Sequence, residues 1–150
     1  MRKTEASVDI SLSREDVLDV FIKQEHLRKW WGVRRSLIEL KKGGLYSLVW
    51  QSNDQYVDYV SAGVIAEYLP ACQLKIDKMF YVNPQRSVLG PMELLILATP
   101  EDNNITRLTV IQSGYKHGAD WDWLYEAVRK AWPEMLGKIK SYLEDEYVEM

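Results

Sequence analysis

One cysteine, Cys72, and two histidines, His26 and His117, are all that this 150-residue chain offers of the side chains that most often build disulfide frameworks and zinc sites. A lone cysteine excludes an internal disulfide and fits a reducing compartment, so the cytoplasm is the expected location. The histidines lie far apart, and neither has acidic or cysteine neighbours at ligand spacing, whereas a zinc site needs three or four convergent ligands. Both are read as solvated, and no metal or cofactor is expected. No G-x-S-x-G elbow and no glycine-rich phosphate loop occurs, so nothing points to a serine hydrolase or a nucleotide enzyme. No apolar run approaches about 18 residues and no apolar N-terminal stretch resembles a leader, so neither a membrane span nor a signal peptide is expected. A formal charge of −3 speaks against general nucleic-acid binding, although residues 1–42 hold 10 Lys+Arg against 7 Asp+Glu.

What the chain does have is indole and phenol. Six Trp and nine Tyr stand against two Phe in a composition that is 47% hydrophobic and 27% charged. Such rings suit a wall that is apolar yet offers polar tips. The length fits one domain spanning residues 1–150. In the last quarter, apolar residues recur at Trp121, Leu124, Tyr125, Val128, Trp132, Met135, Leu136, Ile139, Tyr142 and Leu143, which is helical spacing from about Ala119 to Tyr147. Pro133 interrupts this stripe without breaking its phase, so the helix is expected to bend or restart there.

Before that helix the chain reads mostly as strands. Ala6, Val8 and Ile10 alternate with polar residues, giving a half-buried first strand with Thr4 on the same face. Ser13 is a credible N-cap for a short helix with Val17, Val20 and Phe21 inward, and a second short helix over Gln24 to Trp30 ends near Gly32. Strands follow over 33–40, 45–51, 56–69, 72–82, 92–99 and 105–113, with Gly63 the expected bulge or kink of the longest. The fold class is therefore α+β, in the order β-α-α-β-β-β-β-β-β-α. Short loops imply an antiparallel meander, and the terminal helix is the one element long enough to cover its apolar face.

The stretches Leu27-Arg28-Lys29-Trp30-Trp31-Gly32, Gly44-Leu45-Tyr46, Gly63 through Pro70, Thr106 through Gly114, and Trp132-Pro133-Glu134-Met135-Leu136 with Tyr142-Leu143-Glu144 resemble the START/SRPBCC (Bet v 1-like) superfamily. The branch most resembled is that of the activator of heat-shock protein 90 ATPase. The resemblance implies a helix-grip fold, a curved antiparallel sheet wrapped around a long C-terminal helix with two short helices closing one end. It also implies either a cavity for hydrophobic ligands, a co-chaperone role, or a cyclase- or hydrolase-like activity. It carries over no shared catalytic residue set.

Candidate site residues follow from the predicted faces. Tyr46, Leu48 and Trp50 share one strand face by alternation, and a concave face would put Tyr46 and Trp50 on a pocket wall. Trp30 and Trp31 either plug a cavity mouth and face a partner, or pin the short helices to the sheet. Tyr59 and Gln112 are candidate polar anchors, Gln112 alternatively tying down the Gly114 loop. Trp121, Tyr125, Val128 and Trp132 form either a cavity floor or plain core. The first expectation is thus a non-enzymatic protein that binds a small hydrophobic or aromatic molecule through Trp31, Tyr46, Trp50, Tyr59, Gln112, Trp121, Tyr125 and Trp132. A second is a protein-interaction surface at Arg28, Trp31, Arg34 and Arg35 for an acidic partner. Glu67 reads first as a solvated strand-edge glutamate; aimed into the cavity instead, it would act with a tyrosine in a third, weaker expectation, a cyclase- or hydrolase-like enzyme. Edge strands leave a homodimer open.

Overall fold

The computed structural model describes residues 2–147, and its elements come in the predicted order. Strand β1 (Arg2–Ile10) leads into helices α1 (Arg14–Asp19) and α2 (Gln24–Trp31). Strands β2 (Arg35–Ile38), β3 (Leu45–Trp50), β4 (Tyr59–Leu69), β5 (Gln73–Val82), β6 (Leu89–Pro100) and β7 (Thr106–Tyr115) follow, and helix α3 (Ala119–Ser141) ends in a π-helical turn, Tyr142–Tyr147. The seven strands form one antiparallel sheet in the order β1-β7-β6-β5-β4-β3-β2. Chain neighbours pair throughout except at β1, which closes on β7, so β1 and β2 are the two edges. The short helices carry the chain from one edge to the other and close that end of the sheet.

Local chemistry sets the junctions. Ser13 Oγ accepts from the Asp16 backbone N–H at 3.2 Å, satisfying one of the donors that a helix start leaves unpaired. Gly32 ends α2 at φ 72°, a left-handed conformation that only glycine adopts without a side-chain penalty. Along β1, Thr4, Ala6, Val8 and Ile10 turn inward, as alternation requires.

Two irregularities bend β4 and β5. Gly63 stands opposite two residues of β5, Lys78 and Met79, and Ala66 is an extra residue between Ile65 and Glu67. A β-carbon at Gly63 would lie 2.7 Å from Ile76 Cγ2 and 2.8 Å from the Asp77 carbonyl oxygen, so the strands approach there as only glycine permits. Bulges of this kind add twist and curl a sheet.

Helix α3 lies across the concave face, packed most closely on β1 and β7. It runs through Pro133 without restarting, and the regular helix gives way only at Tyr142. Trp132 and Leu136 flank the proline and are buried, so their packing holds the turn that the missing N–H weakens. The helix end is tied to the first edge strand by Lys140, which donates to the Asp9 carbonyl at 2.7 Å, and by Glu144, which accepts from the Ser11 N–H at 2.8 Å. No helix among the described residues is long and apolar enough to cross a membrane.

His26 departs from its expected solvated position and is 5% exposed. Its Nδ1 is 2.5 Å from Tyr142 Oη, and its ring meets the edge of Tyr147 at 5.0 Å. One helical turn cannot reveal this, because the covering residues come from more than a hundred positions away. His117 is exposed, as expected.

Candidate functional site

Because α3 leans toward β1 and β7, it does not press onto the whole sheet. A cavity of about 280 Å³ remains between residues 123–135 of this helix and strands β3 to β7. Its floor is Met92 and Leu94 of β6 with Gln112 of β7, and its roof is the α3 face carrying Trp123, Ala127 and Ala131. Two alanines on that face leave the space that larger residues would fill.

Rings surround the gap. Trp31 stacks on Trp30 with centroids 4.7 Å apart and meets Trp50 edge-on at 5.2 Å. Trp50 stacks on Tyr59 at 4.7 Å, Tyr59 stands 5.5 Å from Tyr81, and Tyr81 stands 6.3 Å from Trp123. This chain of rings is held by hydrogen bonds at its polar tips: Trp30 Nε1 donates to the Val20 carbonyl at 2.8 Å and Trp50 Nε1 to the Trp31 carbonyl at 3.0 Å. Burial, reinforced by Tyr81 and Asp58, raises the Tyr59 hydroxyl above the usual tyrosine range, so it stays protonated at neutral pH.

Gln112 is 6% exposed and is the one amide in this wall. Its Oε1 accepts from Trp132 Nε1 at 3.1 Å, and its Nε2 lies 3.5 Å from the Met92 sulfur. The amide thus ties α3 to the sheet beside the cavity. At the rim, the β5–β6 loop is fastened to the start of α3. The Arg86 guanidinium sits 3.7 Å over the Trp123 ring and 3.1 Å from Asp120 Oδ1, while Asp120 Oδ2 accepts from the Ser87 N–H at 2.9 Å. The Ser87 hydrogen bonds, with Arg86 beside them, hold the Asp120 carboxyl below the usual range.

Of the residues expected to contact a ligand, Trp31, Trp50, Tyr59, Gln112 and Trp132 line this cavity, with Val128 of the expected helix stripe. Tyr46, Trp121 and Tyr125 do not. Tyr46 has the expected facing but lies deeper, at the closed end, where its hydroxyl donates to the Phe21 carbonyl at 2.6 Å. Tyr125 turns toward the β1 side of α3, meeting Tyr115 edge-on at 5.2 Å beneath the Arg2 guanidinium. Trp121 is part of the partly buried layer on the core and not of the wall. A stripe this broad spans two helix faces, and spacing does not say which one meets a gap.

Glu67 does not point into the cavity. Simple alternation from Tyr59, Ser61 and Ile65 would carry Glu67 inward, but the extra residue at Ala66 turns it out, where it is exposed and accepts from Gln73. The same physics hid Tyr81 and Met79. Counting from Leu74 and Ile76 puts Phe80 inside, but Lys78, at φ 48°, shifts the phase, so Met79 and Tyr81 face inward and Phe80 is 39% exposed. Ala127 and Ala131 carry no sequence signal for a cavity at all.

At the expected partner surface, Arg28, Arg34 and Arg35 are exposed but Trp31 faces the cavity. Arg34 is ion-paired with Asp54, and Arg35 donates to Gln51 Oε1 at 3.2 Å. Among the described residues no three His, Cys, Asp or Glu side chains converge as a metal site.

Solved structures of low sequence identity share this architecture. A protein from Mesorhizobium loti, MLL2253, superposes with a TM-score of 0.75 at 15% identity, covering 97% of this chain and 98% of that one. An Hsp90 activator from Plasmodium falciparum gives a TM-score of 0.73 at 14% identity, covering 95% and 96%. The Aha1 dimer from Colwellia psychrerythraea gives 0.71 at 15% identity, covering 97% and 98%. At such identities the likeness shows the fold, which is the helix grip. No curated protein matches the chain by sequence. The family described as activator of Hsp90 ATPase homolog 1-like protein matches residues 11–144, nearly the whole described chain, and this protein belongs to that family.

Proposed function

We propose that this protein is a non-catalytic cavity protein that holds a small hydrophobic or aromatic molecule between its sheet and α3. One observation carries the reading: a space of about 280 Å³ is walled by six aromatic rings and contains no charged side chain. Burial of the guest's apolar surface supplies the driving force, about 25 cal/mol per Å² removed from water. Trp31, Trp50, Tyr59, Gln112 and Trp132 are the proposed contacts from the sequence reading, joined by Tyr81 and Trp123. No carboxylate or histidine lines the wall, so the reading includes no acid–base chemistry. Titrating intrinsic Trp fluorescence with small aromatic compounds tests it, because four indoles border the space. Saturable quenching or a blue shift is expected, and an unchanged spectrum across the series overturns it.

The family match favours a second reading, a protein-interaction domain acting on an Hsp90-type chaperone in the cytoplasm. Arg34 and Arg35 already have partners within the chain, which leaves Arg28 on the exposed face of α2 as the proposed contact with an acidic surface. Binding to purified Hsp90 that weakens in Arg28→Glu supports this reading, and no measurable binding by the unaltered protein overturns it. A homodimer is the remaining proposal, through edge strand β2, where Leu37 is 62% exposed. Sedimentation that shows a monomer at every concentration removes it.

A further inference from the structure

The orientation of Gln112 narrows the chemistry of the guest, an inference that rests on the cavity reading above. Trp132 Nε1 is a donor and never an acceptor, so the atom 3.1 Å from it must be the amide oxygen. That fixes the amide and sends its NH2 group the other way, to the side of the cavity floor formed by Met92. There Nε2 carries two N–H bonds, and its acceptor among the described residues is the Met92 sulfur at 3.5 Å, a weak one. Gln112 is therefore a nine-tenths-buried donor with capacity left over, and the one N–H donor of an amide in a wall whose other polar side chains are the hydroxyls of Ser61, Tyr59 and Tyr81 and the indoles. Buried donors of this kind ordinarily have full partners, because leaving one short is unfavourable.

Charge and size set the other limits. No charged side chain lines the wall, and Arg86 at the rim is already paired with Asp120, so an ion entering the cavity would lose its hydration without finding a counter-charge. An apolar cavity of about 150 Å³ admits benzene, and this one is about 280 Å³. The methionines Met79, Met92 and Met135, whose side chains are flexible and polarisable, line the cavity with the rings and suit the edges and faces of a flat guest.

We infer that the cavity is a site for an uncharged aromatic molecule of one or two rings whose single hydrogen-bond acceptor, a carbonyl or ether oxygen, takes an N–H from Gln112 Nε2. Calorimetric titration with three probes of similar size tests this: acetophenone, which has the acceptor; cumene, which lacks it; and benzoate, which is charged. The ratio of acetophenone to cumene affinity is expected to fall roughly three- to tenfold in Gln112→Leu, the range of one net hydrogen bond. Benzoate is expected to bind at least about tenfold more weakly than acetophenone to the unaltered protein. Since Gln112→Leu also removes the acceptor of Trp132, the infrared carbonyl band of carbon-13-labelled acetophenone bound to the unaltered protein provides a reading independent of that variant. The band is expected below its position in cyclohexane. An unchanged affinity ratio, a band at the cyclohexane position, or benzoate binding as tightly as acetophenone overturns the inference while leaving the cavity reading intact. Failure of both acetophenone and cumene to bind overturns the cavity reading itself, and this inference with it.

Discussion

The two halves of α3 meet the same sheet in opposite ways. Toward its C-terminus, Leu136, Ile139 and then Leu143 are buried, and Lys140 and Glu144 fasten the helix to the end of β1. Toward its N-terminus, Trp123, Ala127 and Ala131 face open space across which Tyr59 and Tyr81 stand. One half holds the fold together, and the other holds room. The difference teaches that a helix grip need not weaken its core to keep a cavity, because tight packing at one end of the rod lets the other end stand off.

That division can be broken from either side. Ile139→Ala removes a fully buried side chain from the closed half and is expected to cost about 3 kcal/mol in urea unfolding, the range of large-to-small core changes. A loss under about 1 kcal/mol would mean that the closed half is not closed. Gly63→Ala attacks the bend that curls the sheet around the cavity; its β-carbon would meet Ile76 Cγ2 at 2.7 Å, and a loss of about 2 kcal/mol is expected. Trp132→Phe, at the boundary between the halves, leaves Gln112 Oε1 without its donor and should cost about 1.5 kcal/mol. Thermal melts that coincide with the unaltered protein would show that this hydrogen bond joins nothing important. Ala131→Leu sharpens the contrast instead. It fills the open half, so stability should stay within about 1 kcal/mol while uptake of aromatic probes is lost, and a variant that still binds them would put the guest elsewhere.

The smallest effect concerns pH and the closed half. Burial, with Lys23 next in importance, holds the His26 imidazolium less favourable than in the unfolded chain, although Asp19 and Glu25 oppose this. The folded-state value lies below the unfolded one of about 6.5, so the unfolded chain binds the proton more readily. The contribution to stability is therefore full above pH ~6.5 and is lost as pH falls through the lower folded-state value. Urea midpoints measured across pH 5 to 8 should decline on the acid side, and His26→Phe should flatten that decline. An unchanged slope would place its source in other groups.

Much of the architecture was legible from the chain. The alternation of Ala6, Val8 and Ile10, the serine cap at Ser13, the glycine stop at Gly32 and the stripe from Trp121 to Leu143 each rest on a few neighbouring residues, whose chemistry fixes the local conformation. The cavity was half legible. Trp50, Tyr59 and Gln112 follow from strand parity, but parity fails wherever a residue is added, and the extra residues at Lys78 and Ala66 exchanged Phe80 for Tyr81 and turned Glu67 outward. Gly63 marked a bulge in the sequence; Lys78 and Ala66 carry no such mark.

Sequence alone determined which elements form, in what order, and which face is apolar in those without an extra residue, because those properties come from contacts within a few residues. Tertiary structure alone decided where α3 stands off the sheet, which of its two apolar faces meets the gap, and which way the Gln112 amide points. Those outcomes depend on the register of β4 against β5 and on Trp132 reaching Gln112 across the core, interactions between positions that no local pattern connects.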